Sequence, residues 1–252
     1  MLSYQHAYHA GGPADLHKHI ALAELLALLT RKARPLTYME THAGRGLYDL
    51  ASVETAKTGE ADEGIAKSDL PDCPFTVAVK SVRQIHGETA YPGSPAIAAA
   101  LLRPDDQMHL MELHPAEFNA LSANLEGEAA IHHRDGYEGV LAISPPKPRK
   151  GLVLIDPSYE VKTEYLQVAE FTRKLMAKWP EATVLIWYPI LKAARHKEML
   201  AALRLPHLVD EVSFSLKDNK GMIGSGLALV NAPYGSEEIF AKTRAHAHQV
   251  LR

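Results

Sequence analysis

The sequence predicts an α/β fold, a doubly wound and mostly parallel sheet of about seven strands with helices on both faces. Three observations predict it. Short apolar runs alternate with stretches of helical periodicity along the 252 residues, the pattern of successive βαβ units. The most apolar run, Gly151-Leu-Val-Leu-Ile-Asp156, is continuous rather than alternating, as a strand buried on both faces requires. No internal repeat or low-complexity tract interrupts the pattern.

Residues 14–33 read as a helix, because Leu16, Ile20, Ala23, Leu26, Ala27 and Leu29 recur near the helical period and Pro35 ends the run. A strand at 36–40 leads into the turn Thr41-His-Ala-Gly-Arg-Gly46. Residues 48–90 are different: they carry Gly59, Gly64, Pro71, Pro74 and many charges, with one helix near 75–86. A structureless loop of that length is uncommon in a compact domain, so the segment reads as a helical insertion subdomain. The main domain is then 1–47 together with 91–252. After Pro92-Gly93-Ser94-Pro95 come a helix to about Leu102, a strand at 108–112, a helix at 115–125 and a strand at 129–133 ending in Arg134-Asp135-Gly136. Beyond the 151–156 strand follow a helix at 162–179, a strand at 183–187, a helix at 192–203, and strands near 208–216 and 226–231. The short link between the last two predicts an antiparallel pair.

Composition narrows the partners. Lys plus Arg number 27 against 30 Asp plus Glu, a net charge of −3, which excludes an indiscriminate nucleic-acid coat. Hydrophobic content of 46% and charged content of 23% exclude a disordered chain. No apolar run approaches the roughly 20 residues of a membrane span, and no signal-peptide core follows Met1. A lone cysteine, Cys73, forms no internal disulfide. The expectation is a cytoplasmic protein without membrane attachment. The 14 histidines are scattered; His17-x-His19 and His132-His133 lack further ligands at zinc-like spacing, so no metal is expected. Lys147, Arg149 and Lys150 form one basic patch with Arg31, Lys32 and Arg34 only if the fold joins those loops.

In open sheets of this class ligands bind beyond the carboxyl ends of the strands. Four such ends stand out: 40–46, Glu112, Asp135-Gly136 and Asp156 to Tyr159. Gly44 and Gly46 permit close backbone approach to a ligand, or simply a tight strand-to-helix turn. The segment Gly44-Arg-Gly46-Leu-Tyr-Asp49 lacks the third glycine of the nicotinamide fingerprint. Glu112, 68 residues beyond Gly44, suits a ribose diol or is a solvated strand end.

Asp156-Pro157-Ser158-Tyr159 resembles the Asp/Asn-Pro-Pro-Tyr/Phe signature of amino-group methyltransferases, with Ser158 in place of the second proline. The chemistry fits. An exocyclic adenine amine is a poor nucleophile, and the Asp156 carboxylate with the Pro157 carbonyl can accept both of its N–H bonds and orient the nitrogen. Proline fixes its own φ and brings no competing donor. Tyr159 offers a flat face for a stacked base, worth about 1–3 kcal/mol. The bland alternative is a strand-end turn with a buried tyrosine.

The chain also resembles, over nearly its whole length, the ribosomal RNA large subunit methyltransferase J family. The residues that carry this are Met1-Leu-Ser-Tyr4-Gln-His6-Ala-Tyr-His-Ala-Gly11, His17-Lys18-His19, Thr41-His42-Ala43-Gly44 and Tyr91-Pro-Gly-Ser94. Further along are Glu112-Leu-His-Pro115, Asp135-Gly136, Leu154-Ile-Asp156-Pro, Trp187-Tyr-Pro189 and Gly221-Met222. The resemblance implies a Rossmann-like, S-adenosyl-L-methionine-dependent methyltransferase that modifies N6 of one adenine in 23S ribosomal RNA of the large subunit. It sets His19, His42, Gly44, Ser94, Glu112, Asp135, Gly136 and Asp156 against the methyl donor. Tyr4, His6 and Lys18 fall on the RNA side, Lys18 as a cation for phosphate. Rival readings are an adenine-N6 DNA methyltransferase, a non-catalytic RNA-binding assembly factor, and a nicotinamide oxidoreductase.

Overall fold

The computed structural model describes residues 6–67, 69–214 and 221–250. The chain opens with α1 (Pro13–Thr30), β1 (Thr37–Glu40), β2 (Leu47–Asp49), α2 (Val53–Thr58), α3 (Glu60–Glu63), α4 (Pro74–His86) and β3 (Ala90–Pro92). Next come α5 (Ser94–Leu101), β4 (Gln107–Glu112), α6 (Pro115–Asn124), β5 (Ala130–His133), α7 (Gly136–Ile143) and β6 (Gly151–Ile155). It ends with α8 (Glu164–Lys178), β7 (Ala182–Leu191), α9 (His196–Leu203), β8 (His207–Ser213), β9 (Met222–Val230) and α10 (Ser236–Val250).

Seven strands form one sheet in the order β5-β4-β1-β6-β7-β9-β8. All neighbours pair in parallel except β9, which runs antiparallel to both β7 and β8. The sheet class and its antiparallel close are as the sequence predicts. Alternation along each strand divides the core in two. Leu152 and Leu154 of β6 join α1, α4 and α5 on one face; Val153 and Ile155 join α8 on the other. Both faces of β6 are buried, which is why its sequence is an unbroken apolar run.

Strand order reverses between β1 and β6, so the ends of these two strands flank the crevice where ligands bind in such sheets. Their register, Glu40 opposite Leu154, sets the Thr41 turn beside Asp156. The amide of Thr41 donates to Leu154 O across 3.1 Å.

Several elements differ from the prediction. The 48–90 segment leaves and returns through an antiparallel ribbon, β2 with β3, where Leu47 faces Pro92. Its helix α4 buries Phe75, Ala78 and Val79 in the same apolar cluster as α1, so that core is continuous with the main body. Helix α1 stops at Thr30, because Arg103 collects the carbonyls of Thr30, Lys32 and Arg34 and holds the following residues out of helix. Strand β7 reaches Leu191, paired with β9 over most of its length. Helices α7 and α10 were not foreseen. In α10 the buried positions Ile239, Phe240, Thr243 and Ala247 keep helical spacing, but threonine and alanine mute the apolar signal.

Among the described residues no helix is long and apolar enough to cross a membrane, and no group of three or more metal-ligating side chains occurs. The loops carrying Arg34, Lys32 and Lys150 do meet: these cations depress the Lys150 ammonium after burial does.

Candidate active site

A cavity of about 570 Å³ opens beyond the carboxyl ends of β1, β4, β5 and β6. It falls within the roughly 300–1,000 Å³ of small-molecule sites. Its wall includes every donor-side residue expected from the sequence: His19, His42, Gly44, Ser94, Glu112, Asp135, Gly136 and Asp156. His6 and Lys18 line it as well. Tyr4 lies outside the described residues.

The turn after β1 forms the floor. Gly44 has φ +61°, and a Cβ there would come within 2.6 Å of the Tyr48 hydroxyl. Its amide donates to Glu112 Oε2 at 2.8 Å, while Oε1 accepts from the amide of His114 at 2.7 Å. Glu112 is therefore no solvated strand end but a clamp between two turns. Burial lifts its carboxyl above the ordinary range, against the pull of those two amides. Each oxygen keeps a further lone pair for a ligand.

Asp135 caps α7 by accepting from the amide of Glu138 at 3.0 Å. Gly136 follows because no other residue fits: a Cβ would lie 1.8 Å from Thr41 O. His42 packs edge-on against Tyr137 and shares a 2.8 Å hydrogen bond with the Thr41 hydroxyl. Burial pushes its imidazole down to about 4, overriding Asp156 and Asp135. His19 shares a 2.8 Å bond with the Tyr91 hydroxyl, and burial takes its imidazole down to about 3. Both rings are neutral at physiological pH.

Ser94 donates to Glu40 Oε2 at 2.9 Å, and the Tyr38 hydroxyl donates to Glu40 Oε1 at 2.5 Å. Burial raises the Glu40 carboxyl to about 8, so it is a largely protonated acid at neutral pH. The sequence marks Glu40 as a strand end without indicating this role.

Asp156 is 13% exposed, and its Oδ2 accepts from Lys18 Nζ at 2.6 Å. Among the described residues nothing hydrogen-bonds its Oδ1, and that carboxylate faces the cavity. Lys18 departs from the expected role. It is not a solvent-facing cation for phosphate: it is 4% exposed, tied to Asp15 at 3.0 Å as well as to Asp156. Burial opposes its charge, but the two carboxylates outweigh burial and hold the ammonium above its usual range. Its Nζ also lies 5.6 Å from the Trp187 ring centroid.

Tyr159 departs too. It sits at φ +55° with its ring buried between Tyr165 and Trp187, and its hydroxyl donates to Trp187 O at 2.8 Å. Neither Tyr159 nor the buried Pro157 lines the cavity, so Tyr159 gives no stacking face. The exposed apolar surface at the rim comes instead from Leu113 and Val161. Asp15 also belongs to the group around Lys18, and its only signal in the sequence is its place one helical turn before that lysine.

The glycine turn, the strand-end acids at β4 and β6 and the capping acid of α7 surround one cavity at the switch in strand order, the arrangement of a Rossmann-like site for a nucleoside-bearing cofactor. The family model described as "Ribosomal RNA large subunit methyltransferase D, RlmJ" matches residues 33–252. The ribosomal RNA large subunit methyltransferase J of Haemophilus influenzae is 37% identical, covering 94% of this chain and 89% of its own. That of Escherichia coli is 35% identical, covering 94% and 90%. A crystal structure of a Legionella pneumophila protein, 36% identical, superimposes with a TM-score of 0.83 over 94% of this chain and 92% of that one. The chain belongs to the ribosomal RNA large subunit methyltransferase J family, and the resemblance read from its motifs is borne out.

Proposed function

We propose that the protein transfers a methyl group from S-adenosyl-L-methionine to N6 of a specific adenine in 23S ribosomal RNA, in the cytoplasm. The observation that carries this reading is Asp156: one carboxylate oxygen is held by Lys18, and the other, at the wall of the cavity, accepts no hydrogen bond from the described residues. Bound methyl donor supplies an electrophilic methyl group on a sulfonium. The protein's part is to hold and orient both reactants.

Glu112 accepts from ribose hydroxyls with the lone pairs its two amide bonds leave open. Asp135, using one oxygen as a helix cap, has the other for an adenine amine. Ser94, hydrogen-bonded to Glu40, offers a hydroxyl lone pair to the ammonium of the methionine end. Gly44 and Gly136 keep backbone close where side chains would intrude. The neutral rings of His19 and His42 complete the wall without adding charge.

On the substrate side, Asp156 Oδ1 accepts an N–H bond of the target amine and aims its nitrogen; the buried Pro157 lies off the cavity wall and drops out of the expected pair. A carboxylate can then take the proton released as the N–C bond forms and the C–S bond breaks. Transfer is direct; Cys73, at the head of α4, does not line the cavity. Tyr4 and His6 belong to the RNA side of this reading. Residues 48–90 act as a helical insertion subdomain on a main domain formed by 1–47 and 91–252.

Mass mapping of methylated adenines in ribosomal RNA from cells with and without this gene tests the reading. One N6-methyladenine of 23S RNA should disappear without the gene. Purified protein should methylate RNA but not DNA oligonucleotides of equal sequence. Preference for DNA, or RNA binding with no product, overturns it.

A further inference from the structure

Asp15 lies in the first turn of α1, is 3% exposed and does not line the cavity, yet it touches the groups that do. Its Oδ2 accepts from His6 Nε2 at 2.9 Å and from the amide of Gly11 at 3.1 Å. Its Oδ1 lies 3.0 Å from Lys18 Nζ and 3.9 Å from His19 Nε2. Lys18 then reaches Asp156 at 2.6 Å. One buried carboxylate thus links three cavity-lining side chains, and through Lys18 a fourth.

A buried carboxylate is costly unless paired and hydrogen-bonded, so its presence calls for a role. One role is local. Asp15 stands at the positive end of α1, whose N-cap Gly12 offers no side chain, and it accepts an amide there. Capping alone, however, needs one oxygen and no partner beyond the first turn. The second oxygen is committed to Lys18, and Lys18 is set between two acids rather than facing one.

The geometry points to Asp15 as a positioning residue for methyl transfer, which holds Lys18, and through it the Asp156 carboxylate, in the orientation that receives the target amine. The inference rests on the reading of Asp156 above. With Asp15 in place, the ammonium is shared and the Asp15–Lys18–Asp156 group keeps a net negative charge toward the amine. Without it, Lys18 turns wholly to Asp156 and neutralises the acceptor. The same carboxylate fixes His6, so His6 and the Asp156 carboxylate are set by one atom group.

The test is a double-mutant cycle in single-turnover methylation, with melting temperature and methyl-donor affinity measured on the same samples. Asp15→Asn keeps the size of the side chain and an acceptor for the Gly11 amide but removes the charge. It should melt close to wild type, bind the donor with unchanged Kd, and lose about 10- to 100-fold in the methyl-transfer rate, the scale of a misplaced reacting group. Lys18→Met should lose at least as much. In the Lys18→Met background Asp15→Asn should cost little more, because its route of action is gone. Rates for Asp15→Asn within twofold of wild type overturn the proposal, as do fully multiplying losses in the double variant. If instead Asp156→Ala and Lys18→Met both retain wild-type rates, it is the reading of the site that fails.

Discussion

His17 and Lys18 are neighbours on α1, both are buried, and each is paired with an acid far away in sequence; yet one ends in a sealed core and the other at a cavity. His17 Nδ1 lies 2.9 Å from the Ser225 hydroxyl and its Nε2 3.3 Å from Asp210, all three buried. Ser225 also accepts from the Trp187 indole at 2.9 Å, and Asp210 pairs with Arg244 of α10. By composition this is the serine, histidine and acid of a nucleophilic triad. None of the three lines the cavity, and the group ties α1 to β8, β9 and α10. Lys18 is likewise tied to carboxylates, Asp15 and Asp156, but Asp156 opens to the crevice. A set of reactive residue types does not make a site; access to a ligand does.

Asp156 is where the contrast between the two neighbours is most exposed to loss of function. Asp156→Ala removes the acceptor for the amine, and a loss of about 10²–10⁴-fold in methyl transfer is expected. Lys18 keeps Asp15 as a partner, so the variant should remain folded. Melting temperature and single-turnover rate on one sample check this; a near wild-type rate from folded protein refutes it.

His17→Ala is the reverse experiment. It deprives buried Asp210 and Ser225 of a partner and leaves a void, so stability should fall by about 2–4 kcal/mol in urea unfolding. The transfer rate per folded molecule should not change. A rate loss beyond the unfolded fraction would make the sealed cluster part of the catalytic machinery.

Glu40 stands between the two regions, buried but touching Ser94 of the cavity wall. Its folded-state carboxyl titrates near 8 against an ordinary 4.5. Between these values the folded protein keeps a proton that the unfolded chain has released. Stability should therefore be fully present below about pH 4.5 and decline as pH rises towards 8, by at most about 1.4 kcal/mol per unit. Glu40→Gln should abolish that decline. Parallel slopes for the two proteins across pH 5–8 would show that Glu40 is ionised throughout.

Tyr159→Phe is the mildest. Loss of the hydroxyl bond to Trp187 O should cost about 1 kcal/mol in stability and leave transfer unchanged. A large rate loss with unaltered stability would return the tyrosine to the substrate.

What the sequence made legible follows from where the physical signal was local. The β6 run declares a strand buried on both faces, and the strand-end acids Glu112 and Asp156 declare themselves because topology sends strand ends to the crevice. Lys18 faces inward because of two partners, of which Asp15 is a turn away and legible, whereas Asp156 lies 138 residues off and no local pattern announces it. Tyr159 was misread because its positive φ, set by the turn after β6, turns the ring inward. The ribbon β2–β3 has three residues per strand, too few for any periodicity to register.

The amide bonds of Gly44 and His114 to Glu112 have a consequence for ligand entry. Both carboxylate oxygens are fixed by backbone from two different turns, one after β1 and one after β4. The side chain thus has no rotamer freedom left to lose when a ribose arrives, and its ordering cost falls in folding rather than in binding. The same bonds lash the two turns together, so this part of the cavity wall is set before anything enters it.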